Sequence, residues 1–229
     1  MMNAGSAQET WSAVDALIER FMLPHDDLLA AVSKRCERAG LPSIAVSPSQ
    51  GKLLHVLARM CGARRVLEVG TLGGYSTIWL ARALPPGGRL TTIEINPQYA
   101  EVAAENFRQA GLADRIDLRV GAAIEALPVI ASERPPPFDL VFIDADKVNS
   151  AAYLRLAMPI SRPGTVVIID NVVRNGAVLS PEPDAGTRGA IEAMQLLGST
   201  PGLCATAVQT VGVKGYDGFA IGILGGQAK

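Results

Sequence analysis

The chain has 229 residues, which is enough for one large domain with its own hydrophobic core. Its 21 basic and 22 acidic residues are dispersed and leave a formal net charge of −1, so no basic stripe indicates an extended nucleic-acid partner. The uninterrupted apolar runs have the length of strands and fall far short of the roughly 20 residues that cross a membrane, so we expect no membrane partner.

The N-terminal decapeptide MMNAGSAQET has no basic segment followed by an apolar one, so no signal peptide is predicted. Three cysteines, Cys36, Cys61 and Cys204, are odd in number and scattered. Their spacing argues against a disulfide framework and against a zinc site. The simplest interpretation is a reduced, cytoplasmic protein.

We expect a single domain, 1–229, in which an N-terminal segment, 1–62, consists of helices and covers the site or forms a homodimer. The remainder, 63–229, is the predicted catalytic core. Proline and glycine at helix ends and a serine cap delimit the N-terminal helices. These are predicted at Ser6–Met22, from a first turn containing Pro24 to about Ala39, and from the cap Ser47 with Pro48 to near Gly62.

From Arg65 onward, near-continuous apolar strands alternate with helices, which is typical of a parallel sheet covered on both faces. The predicted strands are RVLEV, RLTTIEI, RIDLRV, FDLVFI, GTVVIID, CATAVQTV and GFAIGIL. The helices between them are predicted at Ser76–Leu84, Pro97–Ala110, Ala122–Ile130, Lys147–Ile160 and Ala185–Leu197. Only GVKGYDG joins the last two strands, so they form an antiparallel pair. The pattern predicts an α/β, Rossmann-like methyltransferase fold with a seven-stranded, mostly parallel sheet and an antiparallel C-terminal strand.

A glycine-rich loop follows the first predicted strand in VLEVGTLGGYST, Val66–Thr77. In open α/β sheets the ligand lies beyond the carboxyl ends of the strands, where glycine lets the backbone approach it closely. The spacing of Gly70, Gly73 and Gly74 differs from the G-x-G-x-x-G dinucleotide fingerprint. A tight turn without a ligand remains the alternative for this loop.

Two glutamates lie in the first and second predicted strands, before the loop and after the helix that follows it. Glu68 lies inside the first strand, where a charge is costly unless it is paired. A cationic ligand group, such as the amino group or sulfonium of S-adenosylmethionine, is a reasonable partner, and a partner inside the protein is the alternative. Glu94 ends the second strand, where a carboxylate can accept hydrogen bonds from both hydroxyls of a ribose. A solvated strand end is the alternative for Glu94.

Oxygen-bearing side chains follow two further strands, in VFIDADK and VVIIDN. Parallel neighbours bring Asp144 and the pair Asp170–Asn171 to one edge of the sheet. Three oxygen ligands without histidine or cysteine suit Mg²⁺, Ca²⁺ or Mn²⁺. Without a cation the two carboxylates would repel each other. The alternative is that these acids cap the helices that follow them.

Lys147 begins the next predicted helix, although the amino end of a helix is electropositive. That field and a nearby divalent ion would favour the neutral amine, which makes Lys147 a candidate general base. The alternative is an exposed lysine paired with Asp144 or Asp146.

Together these stretches resemble a known family. VLEVGTLGGYSTIWLA, IEINP, FDLVFIDADKVN, VVIIDNVVRNGAV and GYDGFAIGI are similar to the cation-dependent S-adenosylmethionine O-methyltransferases of the caffeoyl-CoA and catechol type. The likeness extends back to SPSQGKLL and covers roughly residues 42–224. It implies S-adenosylmethionine and a divalent cation, most simply Mg²⁺, as cofactors.

The resemblance also implies roles for particular residues. The S-adenosylmethionine site would comprise Val46, Glu68, Gly70, Thr71, Ser76, Glu94, Ala123, Asp144 and Asp146. The metal ligands would be Asp144, Asp170 and Asn171, the base would be Lys147, and Asn175 would lie on the substrate side.

The resemblance implies methyl transfer to a small aromatic acceptor with two vicinal hydroxyls. Ser150, Arg174 and Val46 depart from the plant acyl-CoA enzymes around the acceptor pocket, so an acyl-CoA substrate is not predicted. Residues 41–47 and 172–187 are expected to form the walls of that pocket. Methylation of a tRNA hydroxyuridine is one alternative function, and a non-catalytic or NAD-linked Rossmann module is another.

Overall fold

The computed structural model describes residues 4–225, so the first three and last four residues of the predicted domain lie outside it. The N-terminal segment forms helices α1 (Ala4–Met22), α2 (Asp27–Arg38) and α3 (Pro48–Met60). Ser47 caps α3 by accepting the amide of Gln50 at 3.2 Å, as predicted. The prediction that Pro24 lies in the first turn of α2 is wrong. The helix begins three residues later because the carboxylate of Asp26 accepts the amide of Leu29 at 3.0 Å and caps it.

The rest of the chain builds a seven-stranded sheet. Its strands are β1 (Arg65–Val69), β2 (Arg89–Glu94), β3 (Ile116–Val120), β4 (Phe138–Ile143), β5 (Ser161–Asp170), β6 (Leu203–Gly212) and β7 (Gly215–Leu224). The order is β3-β2-β1-β4-β5-β7-β6, and β7 runs antiparallel to both of its neighbours. The predicted sheet and its closing hairpin are therefore confirmed.

Five α-helices connect the strands: α4 (Tyr75–Ala83), α5 (Pro97–Gln109), α6 (Ala123–Ser132), α7 (Ser150–Ala157) and α8 (Ala185–Ser199). One predicted helix, Lys147–Ile160, is broken into three parts. A 3₁₀ turn spans Lys147–Asn149 before α7, and another spans Met158–Ile160 after it. Lys147 therefore lies in a short turn that precedes the α-helix.

The central strands β1, β2, β4 and β5 are buried on both faces over most of their length, and their side chains alternate between the two faces. Leu67, Val141 and Ile169 belong to one core with residues of α6, α7 and α8. Leu140 and Phe142 belong to the opposite core with residues of α2 to α5. The charged and hydroxyl-bearing side chains at the strand ends are thus held by elements that are apolar on both sides.

The N-terminal helices pack directly onto this core. Gly51 of α3 lies so close to the Trp79 ring of α4 that a Cβ atom there would overlap it. Helix α1 contacts the β6–β7 turn, where Asp15 accepts the amide of Val213 at 2.7 Å. Within the described residues, none of the helices combines the length and apolarity that crossing a membrane requires.

Candidate active site

The carboxyl ends of β1, β2 and β4 are joined by backbone hydrogen bonds that continue past the strands. The amide of Gly70 donates to the carbonyl of Ile93 at 3.0 Å, and the amide of Asp144 donates to Val69 at 2.8 Å. The amide of Gly121, just before α6, donates to the backbone carbonyl of Glu94 at 2.8 Å. One edge of the sheet therefore gathers the glycine loop, Glu94, the start of α6 and Asp144.

Glycine is required at two positions of the loop between β1 and α4. Gly70 has φ +100°, and a Cβ atom there would overlap the carbonyl oxygen of Asp144. Gly74 has φ +82°, is the N-cap of α4, and lies against the ring of Phe107. The loop is therefore fixed between β4 and α5, and close contacts on both sides determine its conformation.

Glu94 organises the loop through its carboxylate. Oε2 accepts the amides of Thr71 at 3.2 Å and Leu72 at 2.7 Å, and Oε1 accepts the amide of Asn96 at 2.9 Å. A carboxylate has about four acceptor positions, so one remains, on Oε1. Glu94 stays a predicted ribose acceptor, but the protein already uses most of its capacity.

Glu68 is fully buried, and its partners lie inside the protein. Ser76 and Thr77 of α4 donate to it at 2.7 and 2.5 Å, and Thr92 of β2 donates at 2.7 Å. Since the Thr92 proton is directed to Glu68, the hydroxyl of Thr71, 2.6 Å away, donates to Thr92. The structure thus supplies the internal partners that the sequence left as the alternative. A direct contact between Glu68 and a cationic ligand stays a prediction.

Burial raises the pKa of Glu68 to about 7, although the three hydroxyl donors oppose the shift. Because this pKa lies above the ordinary value of 4.5, the folded chain retains a proton between pH 4.5 and 7 that the unfolded chain has lost. The resulting stability is fully present below pH 4.5 and is lost as the pH rises through 7.

Glu68→Gln is therefore expected to flatten the dependence of the unfolding free energy on pH. The difference from wild type between pH 5 and 8 should reach at most roughly 3 kcal/mol. Urea denaturation at four pH values measures it, and the exposed Glu125→Gln is the matched control. Asp170 titrates in the same interval and leaves a residual slope in the variant. An unchanged slope in Glu68→Gln would contradict the assignment.

Asp144 and Asp170 are neighbours at the ends of β4 and β5, since the register pairs Ile143 with Ile169 immediately before them. Asp170 is 5% exposed. Burial and the carboxylate of Asp144 raise the pKa of Asp170 to about 7, while Lys147 opposes the shift. A buried acid held next to a second, half-buried acid favours a bound cation.

Asn171 follows Asp170 in a left-handed conformation, with φ +57°, and its amide nitrogen donates to Asp217 at 3.1 Å. That contact leaves its oxygen available for the ligand role that was predicted for Asn171, and the role itself stays a prediction. Among residues 4–225 there is no cluster of three or more His, Cys, Asp or Glu side chains that suits a metal. The predicted set contains only two acids and one amide, so it is not a cluster of that kind.

Lys147 makes an ion pair with Asp144, with 2.7 Å between Nζ and Oδ1, and only 13% of its side chain is exposed. The backbone of Lys147 is held by α8, where Gly189 approaches its carbonyl so closely that a Cβ atom would overlap it. The pairing matches the alternative raised from the sequence, except that the lysine is largely buried. Its role as a base remains a prediction.

The other predicted residues are dispersed around this edge. Val46 is buried just before the cap of α3, and Ala123 is buried at the start of α6. Asp146 is exposed and accepts hydrogen bonds from Tyr153 and from Asn149, the latter at 2.6 Å. Asn175 is exposed with φ +54° in the loop after β5.

Two residues at this edge were not predicted from the sequence. Gln50 of α3 donates to Oδ2 of Asp170 at 2.7 Å and connects the N-terminal segment to the acids. Asp217 of β7 accepts the side chain of Asn171. The only signal for Asp217 was its presence in GYDGFAIGI, and Gln50 lay in SPSQGKLL without a specific role.

Comparison with known proteins points in one direction. A family model described as O-methyltransferase matches residues 22–199. A catechol O-methyltransferase of Mycobacterium tuberculosis is 50% identical over 211 residues, which cover 92% of this chain and 94% of that protein. The crystal structure of an O-methyltransferase from Bacillus cereus in complex with SAH has a TM-score of 0.93 and 47% identity, and covers 95% of this chain and 99% of its own. The structure of the O-methyltransferase TomG from Streptomyces achromogenes, in complex with SAM, has a TM-score of 0.92 and 46% identity, with 99% and 100% covered.

Proposed function

Because this chain belongs to the S-adenosylmethionine-dependent O-methyltransferase family of the caffeoyl-CoA and catechol type, we propose that it methylates one hydroxyl of a small catechol-like acceptor with the help of a divalent cation. The observation that carries the proposal is the pair of acids Asp144 and Asp170, with Asn171, beside the glycine loop. The alternative of a non-catalytic or NAD-linked module is wrong, since the matching family and its relatives are methyltransferases.

The donor set fits a hard divalent cation. It consists of two carboxylates and one amide oxygen, and burial holds Asp170 where an uncompensated charge is costly. A bound Mg²⁺ would hold two vicinal oxygens of the acceptor and favour loss of a proton from one of them. This chemistry selects a catechol over a simple phenol, because only a vicinal diol supplies both oxygens.

The chain's own residues would orient the two reactants. The loop from Gly70 to Gly74, Glu94 and Ala123 would bind S-adenosylmethionine at the end of β1 and β2, adjacent to Asp144. Lys147, held at 2.7 Å from Asp144, would take up the proton of the reacting hydroxyl as a neutral amine, the form that a divalent cation beside Asp144 would favour. Positioning of the acceptor oxygen against the methyl group and placement of charge around it would be the main contributions of such a site.

Lys147→Met is expected to lower kcat at least tenfold, since the proton acceptor is lost, while SAH binds with unchanged affinity. Steady-state kinetics and calorimetric titration with SAH measure the two quantities. The exposed Lys34→Met on α2 serves as the matched control for loss of a positive charge. Unchanged kcat in Lys147→Met would remove the assignment of this residue as the base.

The proposed function is tested by methyl transfer from S-adenosylmethionine to a panel of acceptors, each with Mg²⁺ and with EDTA. We expect product from catechols only with Mg²⁺, and none from the matched monophenols. Activity that persists in EDTA would overturn the cation requirement. A panel that includes tRNA bearing hydroxyuridine also tests the nucleic-acid alternative, since transfer to that RNA alone would overturn the catechol acceptor.

We also propose that the chain forms a homodimer and acts in the reducing cytoplasm. Helix α3 exposes Leu53, Val56 and Met60 on its outer side, which supports an apolar contact with a second copy. All three cysteines are free, which supports the reducing compartment. Sedimentation equilibrium should give twice the chain mass, and Met60→Glu should shift it toward one chain mass. A wild-type protein that sediments as a monomer would exclude the dimer.

A further inference from the structure

The orientation of the Asn171 amide decides whether this side chain can serve a cation. Its nitrogen lies 3.1 Å from Oδ2 of Asp217. A carboxylate only accepts hydrogen bonds, so the group that faces Asp217 must be the amide nitrogen and not the oxygen. Within residues 4–225, no protein donor reaches the oxygen of Asn171, which is therefore directed away from Asp217 with its acceptor capacity intact.

Asp217 is itself held in one orientation. Its second oxygen, Oδ1, accepts three backbone amides, from Val173 at 3.1 Å, Arg174 at 2.8 Å and Gly218 at 2.9 Å. These bonds fix the plane of the carboxylate and leave Oδ2 for Asn171. Asp217 thus uses one oxygen to hold the loop and the other to hold a side chain.

The loop after β5 needs this support. Asn171, Arg174 and Asn175 all have left-handed backbone angles, with φ between +54° and +57°. Asparagine tolerates this region, but arginine rarely adopts it, so the conformation is costly unless other contacts impose it. The carbonyl of Gly218 also accepts a hydrogen bond from the amide of Val172 at 3.0 Å. Two consecutive residues of β7, Asp217 and Gly218, therefore bind the loop.

We infer that Asp217 is a positioning residue that turns the oxygen of Asn171 toward the cation and thereby completes its ligand set. The inference rests on the proposed function, since it assumes that Asp144, Asp170 and Asn171 bind a divalent ion. It assigns Asp217 no contact with the substrate, the cofactor or the ion.

Asp217→Asn tests the inference because it changes one oxygen into a donor and keeps the shape of the side chain. The remaining oxygen can still accept the three backbone amides. The new amide nitrogen faces Asn171, which must turn its own oxygen toward it and its nitrogen toward the cation. Groups that orient a metal ligand are typically worth about 10- to 100-fold in affinity, so Mn²⁺ should bind at least about tenfold more weakly.

The measurement is a titration of Mn²⁺ followed by electron paramagnetic resonance on protein without S-adenosylmethionine or acceptor, so it does not depend on turnover. A second variant, Asn171→Asp with Asp217→Asn, reverses the pair. The carboxylate introduced at position 171 accepts from the amide at 217 and offers its other oxygen to the ion. Asp217→Asn should weaken Mn²⁺ binding in the wild-type background but leave it unweakened in the Asn171→Asp background, whereas loss of loop support alone would weaken it in both.

Asn171→Asp alone places two carboxylates against each other, and its melting temperature in EDTA should fall. Adding Asp217→Asn should restore that temperature, and the folded double variant then allows Mn²⁺ binding to be compared even if Asp217→Asn alone fails to fold. Wild-type protein that binds no Mn²⁺ would refute the cation site of the proposed function and this inference with it. Wild-type protein that binds Mn²⁺ while Asp217→Asn binds it equally well would refute the positioning role alone. Weaker Mn²⁺ binding by the double variant than by Asn171→Asp alone would also refute it.

Discussion

Asp170→Asn is expected to abolish cation-dependent methyl transfer while it makes the metal-free protein more stable at pH 8. Burial and Asp144 raise the pKa of Asp170 to about 7, so at pH 8 the carboxylate is charged in a place that disfavours charge. The amide keeps the shape and can still accept the backbone amide of Asn171, which lies 2.9 Å from Oδ1. Gln50 can turn its own amide to accept from the new nitrogen.

The two effects have different sizes. Loss of one charged ligand from the cation site should lower kcat/KM at least about 100-fold. The free energy of unfolding in EDTA at pH 8 should rise by about 1 kcal/mol or more. The gain should be smaller at pH 5, where Asp170 is protonated in the folded chain, and should vanish only below its ordinary pKa of 3.8. Kinetics with Mg²⁺ and urea denaturation in EDTA at the two pH values measure these quantities.

Asp139→Asn provides the matched control, because Asp139 is also a buried aspartate of the sheet but lies at the opposite end of β4. Burial alone would raise its pKa, but hydrogen bonds from the backbone amides of Arg64 and Arg65 and from the guanidinium of Arg162 hold the pKa below its usual range. The amide should therefore cost about 1 to 3 kcal/mol of stability and leave the kcat of the folded protein intact. If Asp170→Asn is destabilised like Asp139→Asn, then burial and repulsion by Asp144 do not destabilise the charged Asp170 in the folded protein.

The sequence was sufficient for the sheet and for the acids at its edge, for a physical reason. Apolar strands that alternate with helices leave few arrangements other than a parallel sheet, and parallel strands place their carboxyl ends together. Asp144 and Asp170 therefore had to meet once β4 and β5 were adjacent. The helix cap Ser47 was equally accessible, because a cap depends on only three or four consecutive residues.

The residues that hold the acids in place were not accessible in this way. Gln50 is 120 positions from Asp170, and Asp217 is 46 positions from Asn171, so no local pattern connects them. Their contacts exist only because α3 packs against the core and β7 pairs with β5. The hydrogen-bond partners of Glu68 could not be predicted for a related reason. Ser76 and Thr77 look like ordinary helix residues in the sequence, and only the glycine loop brings them back against β1.

Gly70→Ala is expected to be the most damaging small substitution in the glycine loop. The backbone of Gly70 has φ +100°, which side-chain-bearing residues rarely adopt, and the new methyl group would overlap the carbonyl oxygen of Asp144. Relief requires that the end of β4 move away from β1, which breaks the 2.8 Å hydrogen bond from the Asp144 amide to Val69. We expect a loss of about 3 kcal/mol or more of unfolding free energy, and SAH binding at least about tenfold weaker.

Gly111→Ala separates the cost of the positive φ from the cost of the steric overlap. Gly111 also has a positive φ, +66°, but no atom lies within 4 Å of the position that its Cβ would occupy. Its substitution should cost only the backbone preference, about 1 to 2 kcal/mol, and should leave SAH affinity unchanged. Thermal unfolding and calorimetric titration with SAH compare the two variants. Because the strain in Gly70→Ala is directed at Asp144, the excess loss should fall on Mn²⁺ binding as well as on SAH binding. Equal losses in the two variants would show that the end of β4 can move away from Gly70 without loss of stability. The glycine loop and Asp144 would then not be rigidly coupled.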